Sequence, residues 1–175
     1  QGSGNFIKVD AFPNLTFNLP IHLTEMNGSG RLLVGEMNGR IYSVPNVSTT
    51  TTKDLFLDIS SRVRFAGESG MLNFALHPRY GIDSNYVYVV YHLNHLNGQF
   101  YTLISRFDVI SPGANAYADP SYELVLIQKL DHATTHNGGG LLCGTDGLLY
   151  NSFVDEGTGN NTYNNGQRIN DRLMA

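Results

Sequence analysis

Histidine next to a run of glycine is the one arrangement in this chain that reads as chemistry. Thr134-Thr135-His136-Asn137-Gly138-Gly139-Gly140 leads into Leu141-Leu142-Cys143-Gly144-Thr145-Asp146-Gly147-Leu148-Leu149-Tyr150. An imidazole titrates near pH ~6.5, so at neutral pH it can accept a proton from a hydroxyl. Consecutive glycines let the backbone take positive φ and let a flat ligand lie against the main chain. The same residues also suit a Gly-rich turn whose histidine faces water. A second candidate segment is Gly67-Glu68-Ser69-Gly70-Met71-Leu72-Asn73-Phe74-Ala75-Leu76-His77-Pro78. Its carboxylate, Glu68, can accept hydroxyl hydrogen bonds or sit near a histidine, and equally can be a solvated turn residue.

The elements that must hold these residues are strands. Tyr86 to Leu93, Tyr101 to Ile110 and Tyr122 to Leu130 are rich in Val, Ile and Tyr and are separated by Gly, Pro, Asn and Asp clusters. No window keeps a helical apolar period over three turns. Asn-Gly at Asn27, Asn38, Asn97, Asn137 and Asn165, with Asp146-Gly147, marks hairpin turns. Two hairpins look alike, Arg31 to Tyr42 and Gly140 to Tyr150, as a weak internal repeat. The expected fold is all-β.

Bulk properties remove several function classes. The net charge is -4, and the 11 basic residues are scattered, which leaves no electrostatic footprint for nucleic acid. Tyr86 to Tyr91 is the longest apolar run, far short of the ~20 residues of a membrane helix. The lone Cys143 excludes an internal disulfide and reads as a small buried residue. Asn-x-Ser/Thr triplets begin at Asn14, Asn27, Asn46 and Asn160, which suits a secreted glycoprotein, although this composition gives about 2.5 by chance.

Other histidines read as structural. His77 precedes Pro78 and is expected to anchor its loop to backbone groups. His92 and His95 are expected in a polar loop after the Tyr-Val strand. His132 and His136 are spaced as a metal pair only on a helix, and the glycines that follow argue against one, so no zinc site is expected. Asp155-Glu156 reads as a solvated acidic loop whose spacing fits no EF-hand.

Taken together and in order, Leu32-Leu33-Val34-Gly35-Glu36, Gly39-Arg40-Ile41, the Gly67 to Tyr80 segment, Tyr86 to Tyr91, Ser105-Arg106-Phe107 and the His136 loop resemble the glucose/sorbosone dehydrogenase family. That family includes soluble PQQ-dependent aldose dehydrogenases and hedgehog-interacting-protein-like ectodomains. The resemblance implies a six-bladed β-propeller, of which residues 1–175, at ~40–50 residues per four-stranded blade, would be a partial, N-terminal half of about three or four blades, and it implies a secreted, extracellular or periplasmic location. It implies His136 as general base for the anomeric hydroxyl of a sugar, with hydride passing to PQQ. Glu68 falls where several members carry a glutamine near the sugar, and Glu68 and Asn137 are the expected substrate contacts. PQQ and Ca²⁺ are the implied cofactors, and their ligands are expected beyond residue 175. The partners implied are a small sugar and the remaining half of the propeller, or another chain, covering the open sheet edges. Val154 and Asn151-Ser152 depart from the family pattern beside the expected pocket. The second functional reading is a non-catalytic extracellular propeller segment for protein or glycan binding or for assembly.

Overall fold

A computed structural model describes residues 6–94, 98–157 and 159–164. The ten strands among these residues form three antiparallel sheets, each a simple up-and-down meander. The first holds β1 (Pro20–Met26), β2 (Arg31–Glu36), β3 (Arg40–Pro45) and β4 (Asp54–Asp58). The second holds β5 (Met71–Leu76), β6 (Tyr86–Asn94), β7 (Phe100–Ile110) and β8 (Tyr117–Asp131). The third is the hairpin β9 (Gly140–Cys143) and β10 (Leu149–Ser152). The described residues thus make two complete blades and the opening hairpin of a third.

Why strands form here follows from residue type. β6 and β7 are runs of β-branched and aromatic residues, and Val87, Val89, Tyr91, Leu103 and Phe107 are buried in the second sheet. A strand covered on both sides needs no alternation, which is why these segments read as continuous apolar runs. The main core joins the first two blades: Leu33, Ile41, Phe56 and Leu57 pack with Met71, Phe74, Tyr91 and Phe107. The second core, where the second blade meets the third, is smaller and centres on Val90, Ile104 and Leu141.

β1, β5 and β9 are the first strands of their sheets, and β5 packs beside both of the others. They line a cavity of about 320 Å³ bounded by His22, Thr24, Phe74, Leu76, Leu141 and Cys143. The third blade leaves Leu142, Leu148 and Tyr150 exposed, and Leu124 and Leu126 are exposed on the outermost strand of the second. Such apolar surface is what further strands would cover.

Two expectations need correction. His92 is in β6, fully buried, and outside any polar loop; β6 continues past it to Asn94, and His95 lies outside the described residues. The paired hairpins that suggest a repeat occupy different places in their blades: Arg31 to Tyr42 forms the second and third strands of its sheet, Gly140 to Tyr150 the first and second. Both use a glycine-containing turn between apolar strands, and turn chemistry does not encode a strand's position in a sheet.

Candidate functional site

Three loops converge on His136. The first, residues 132–139, runs from the outermost strand of the second blade to the innermost strand of the third. The second, residues 153–157, follows β10, and the third is the turn at Gly67–Gly70 that leads into β5.

Backbone hydrogen bonds join the first two loops. Gly139 N–H donates to Ser152 O at 3.1 Å, Glu156 N–H to His136 O at 3.0 Å and Gly157 N–H to Thr135 O at 3.0 Å, while Thr135 Oγ1 donates to Gly157 O at 3.0 Å. The glycines are what permit this closeness. Gly138 has φ of 85°, and a Cβ there would stand 2.5 Å from Ser152 O; Gly139 has φ of 126°, and its Cβ would stand 2.6 Å from Leu72 Cβ. His136 and Glu156 are themselves left-handed, with φ of 55° and 56°. For residues with a side chain this conformation costs on the order of 1–2 kcal/mol each, and it persists where the surroundings over-determine it.

The third loop presents two side chains to the first. Glu68 Oε2 accepts the His136 backbone N–H at 3.0 Å, and Ser69 Oγ donates to Thr134 O at 3.2 Å. Behind it, Gly70 N–H donates to His92 Nδ1 at 3.1 Å, and His92 N–H donates to Gly70 O at 2.9 Å. Burial, and then the charges of Arg64 and Lys129, push the His92 imidazole down to about 4. A neutral ring with a free acceptor nitrogen is what the Gly70 amide requires.

His136 projects outward, with its side chain 45% exposed, and its Nδ1 lies 3.5 Å from Asp155 Oδ1. A carboxylate on that side favours the Nδ1–H tautomer and leaves Nε2 as the acceptor. Sequence reasoning assigned Asp155 to a solvated acidic loop. The signal that locates it is hairpin register: Ser152 pairs with Gly140, and continuing that register past Ser152 brings Asp155 opposite Asn137.

Asn137 is buried, and its Nδ2 donates to Ala133 O at 3.1 Å, so its amide pins the loop internally. Glu68 is exposed and reaches His136 through the backbone rather than the ring. The structure therefore gathers Glu68, His136 and Asp155 at one end of the blades and places Asn137 beneath them. His77, at the far end of β5, accepts the Arg79 N–H at 3.1 Å through Nδ1, the backbone anchorage expected of it.

Under the loops lies a charge cluster. Lys129 on β8 meets Asp131 at 2.9 Å and also pairs with Glu156 Oε1. Glu156 Oε2 accepts the His132 N–H at 3.0 Å and lies 3.0 Å from His132 Nδ1. Thr102 Oγ1 donates to Asp131 Oδ2 at 2.6 Å, and burial lifts the Asp131 carboxyl above its ordinary value against the pull of Thr102 and Lys129.

With this geometry in view, comparison with known proteins defines the class. The model of the Glucose / Sorbosone dehydrogenase family matches residues 17–172, and the chain belongs to that family. Among solved structures, it is similar to an oxidoreductase from Thermus thermophilus described as a putative glucose dehydrogenase. The two share 25% identity with a TM-score of 0.62, over 79% of this chain and 38% of the other. It is also similar to a glucose dehydrogenase at 21% identity and TM-score 0.63, covering 79% and 41%, and to the soluble aldose sugar dehydrogenase of Escherichia coli in the apo form at 18% and 0.59, covering 79% and 38%. The chain spans about two fifths of the length of these structures. The fold is accordingly that of a partial glucose-dehydrogenase-type β-propeller.

The family's cofactors can be tested against these side chains. PQQ carries carboxylates, and the three loops offer Glu68, Asp155 and Glu156; the ammonium beneath them, on Lys129, is buried and bound by two carboxylates. Among the described residues no group of three His, Cys, Asp or Glu is placed to hold a metal ion. The described residues at these loops do not by themselves fit an anionic quinone or a calcium ion.

Proposed function

We propose that this chain supplies the proton-abstracting part of an aldose-oxidising site, with His136 as the general base at the sugar's anomeric hydroxyl. The observation that carries the reading is the His136–Asp155 pair on an exposed loop held from three sides. Asp155 takes the Nδ1 side, Nε2 accepts the hydroxyl proton, and Glu68 fixes the backbone from which the ring projects. Asn137 serves this role by bracing the loop. Oxidation also needs a hydride acceptor, a role that PQQ fills in the family, and its countercharges would come from outside residues 1–175. Residues 1–175 act as one partial-propeller unit of a longer protein of the secretory or periplasmic space, with a small sugar as substrate.

One observation favours the second reading, a non-catalytic propeller that binds protein or glycan: Glu68, the expected sugar contact, spends its Oε2 on a backbone amide. Dye-linked aldose oxidation by the longer protein, supplied with PQQ and Ca²⁺, decides between them. Turnover that falls by about 10²-fold or more in His136→Ala supports the base. A correctly folded longer protein that binds no PQQ and oxidises no aldose refutes it and selects the binding role.

A further inference from the structure

Two buried groups beside the site take no part in proton abstraction: Glu156, 1% exposed, and Lys129, 9% exposed. The side chain of Glu156 points into the body of the second blade, where Lys129 holds Oε1 and the His132 N–H holds Oε2. Its backbone N–H donates to His136 O. Its neighbour Asp155 faces the His136 ring. One residue thus ties a strand of the second blade to both members of the pair.

We propose that Glu156 is a positioning residue, and that its buried ion pair with Lys129 sets His136 and Asp155 relative to one another. The inference rests on reading His136 as the proton acceptor. The loop after β10 follows a strand of four residues; Phe153 packs on the second core, whereas Asp155 and Glu156 beyond it are held by polar contacts. Lys129 is a firm point of reference, since it sits on the fifteen-residue β8 and is held a second time by Asp131. A buried ion pair contributes modestly to net stability because both ions lose their water, but its short range and direction define geometry. That geometry is required here, because His136 and Glu156 both hold left-handed backbone conformations that relax once their surroundings loosen. The charged groups around Glu156 are Lys129 and Asp131 from β8 and His132 from the loop; those around His136 are Glu68 and Asp155.

The test uses Glu156→Gln in the longer protein, which keeps the side-chain shape and the acceptor for His132 N–H while removing the ion pair. Sugar oxidation should lose about 10- to 100-fold in kcat with KM within about twofold, the effect of a misplaced base. Independently of turnover, the ring ¹⁵N and backbone amide resonances of His136 should shift as the Asp155 contact is lost. Asp131→Asn is the control. Asp131 touches the pair only through Lys129, so this variant should move the His136 resonances clearly less than Glu156→Gln does, even if it lowers stability. Unmoved His136 resonances in Glu156→Gln, or an equal displacement in Asp131→Asn, would overturn the proposal. Should Glu156→Gln fail to fold, Glu156→Asp keeps the charge and shortens the arm, and the same resonances should move; if they do not, the proposal fails. Because the resonances need no substrate, an inactive wild-type protein refutes the proposed function without touching this result.

Discussion

Mild acid should weaken this domain through one buried ring. His92 is wholly enclosed on β6, packs on Phe100 at 4.8 Å between centroids, and accepts the Gly70 N–H through Nδ1. Burial, aided by Arg64 and Lys129, pushes it from 6.5 to about 4. The folded value is the lower one, so between these limits the unfolded chain takes up a proton that the folded chain refuses. Stability is therefore fully present above pH ~6.5 and lost as pH falls toward 4. A gap of about 2.5 pH units at 1.36 kcal/mol each gives about 3 kcal/mol, a large share of the ~5–15 kcal/mol that holds a typical domain.

Urea unfolding followed by tyrosine fluorescence at pH 7, 6, 5 and 4 measures the loss; the chain has 10 Tyr and no Trp. His92→Asn is the reference, since it keeps a side-chain acceptor near Gly70 N–H and cannot titrate. Wild type should lose about 3 kcal/mol more than the variant from pH 7 to 4. The lowered carboxyls of Asp58, Asp83, Asp119 and Asp146 are common to both proteins and cancel in the comparison. Equal pH slopes for the two would refute the assignment. The site should respond as well: Gly70 follows Ser69 and Glu68, which hold Thr134 and His136, so amide exchange at His136 should accelerate in the same pH window.

Three further outcomes are expected. Gly139→Ala places a methyl 2.6 Å from Leu72 Cβ at φ of 126°, and thermal melting should show a loss of ~2 kcal/mol or more. Asp155→Asn leaves the ring of His136 in place without its anionic partner, and steady-state kinetics of sugar oxidation should show kcat reduced about 10-fold or more with KM little changed. Glu123 accepts from Tyr91 Oη at 2.6 Å, keeps that phenol above its ordinary range after burial has raised it, and pairs with Arg62 from the loop after β4. Glu123→Ala should thus cost ~2–3 kcal/mol in denaturant unfolding.

The strands are legible in the sequence because their signals are local. Tyr86 to Leu93 and Tyr101 to Ile110 each fall within one residue of β6 and β7, since β-branched and aromatic runs and the turns that end them are read residue by residue. His136, Glu68 and their closeness follow from resemblance, and the structure shows the contact to run through the His136 amide. Lys129 is not legible, because it reaches the site through the face of β8 and carries no motif of its own, and Asp155, read as a solvated acidic residue, is placed only by the register of β9 and β10. His92 misleads for the opposite reason. In β6, Val89, Val90, Tyr91 and His92 are all buried, so the strand lacks the alternation that would reveal a histidine inside it.

Charge balance bears on which molecules this end of the blades can admit. Glu68 and Asp155 flank His136, Asp131 and Glu156 lie beneath it, and Lys129 is the ammonium set among them. A neutral sugar can approach such a surface without electrostatic cost, and its hydroxyls can donate to the carboxylates. Among the described residues, Lys129 is already shared between two carboxylates, which leaves its ammonium little attraction for a third anion. Under the proposed role of His136, this polarity suits a neutral sugar, and the countercharge for an anionic cofactor would come from residues outside the described ones.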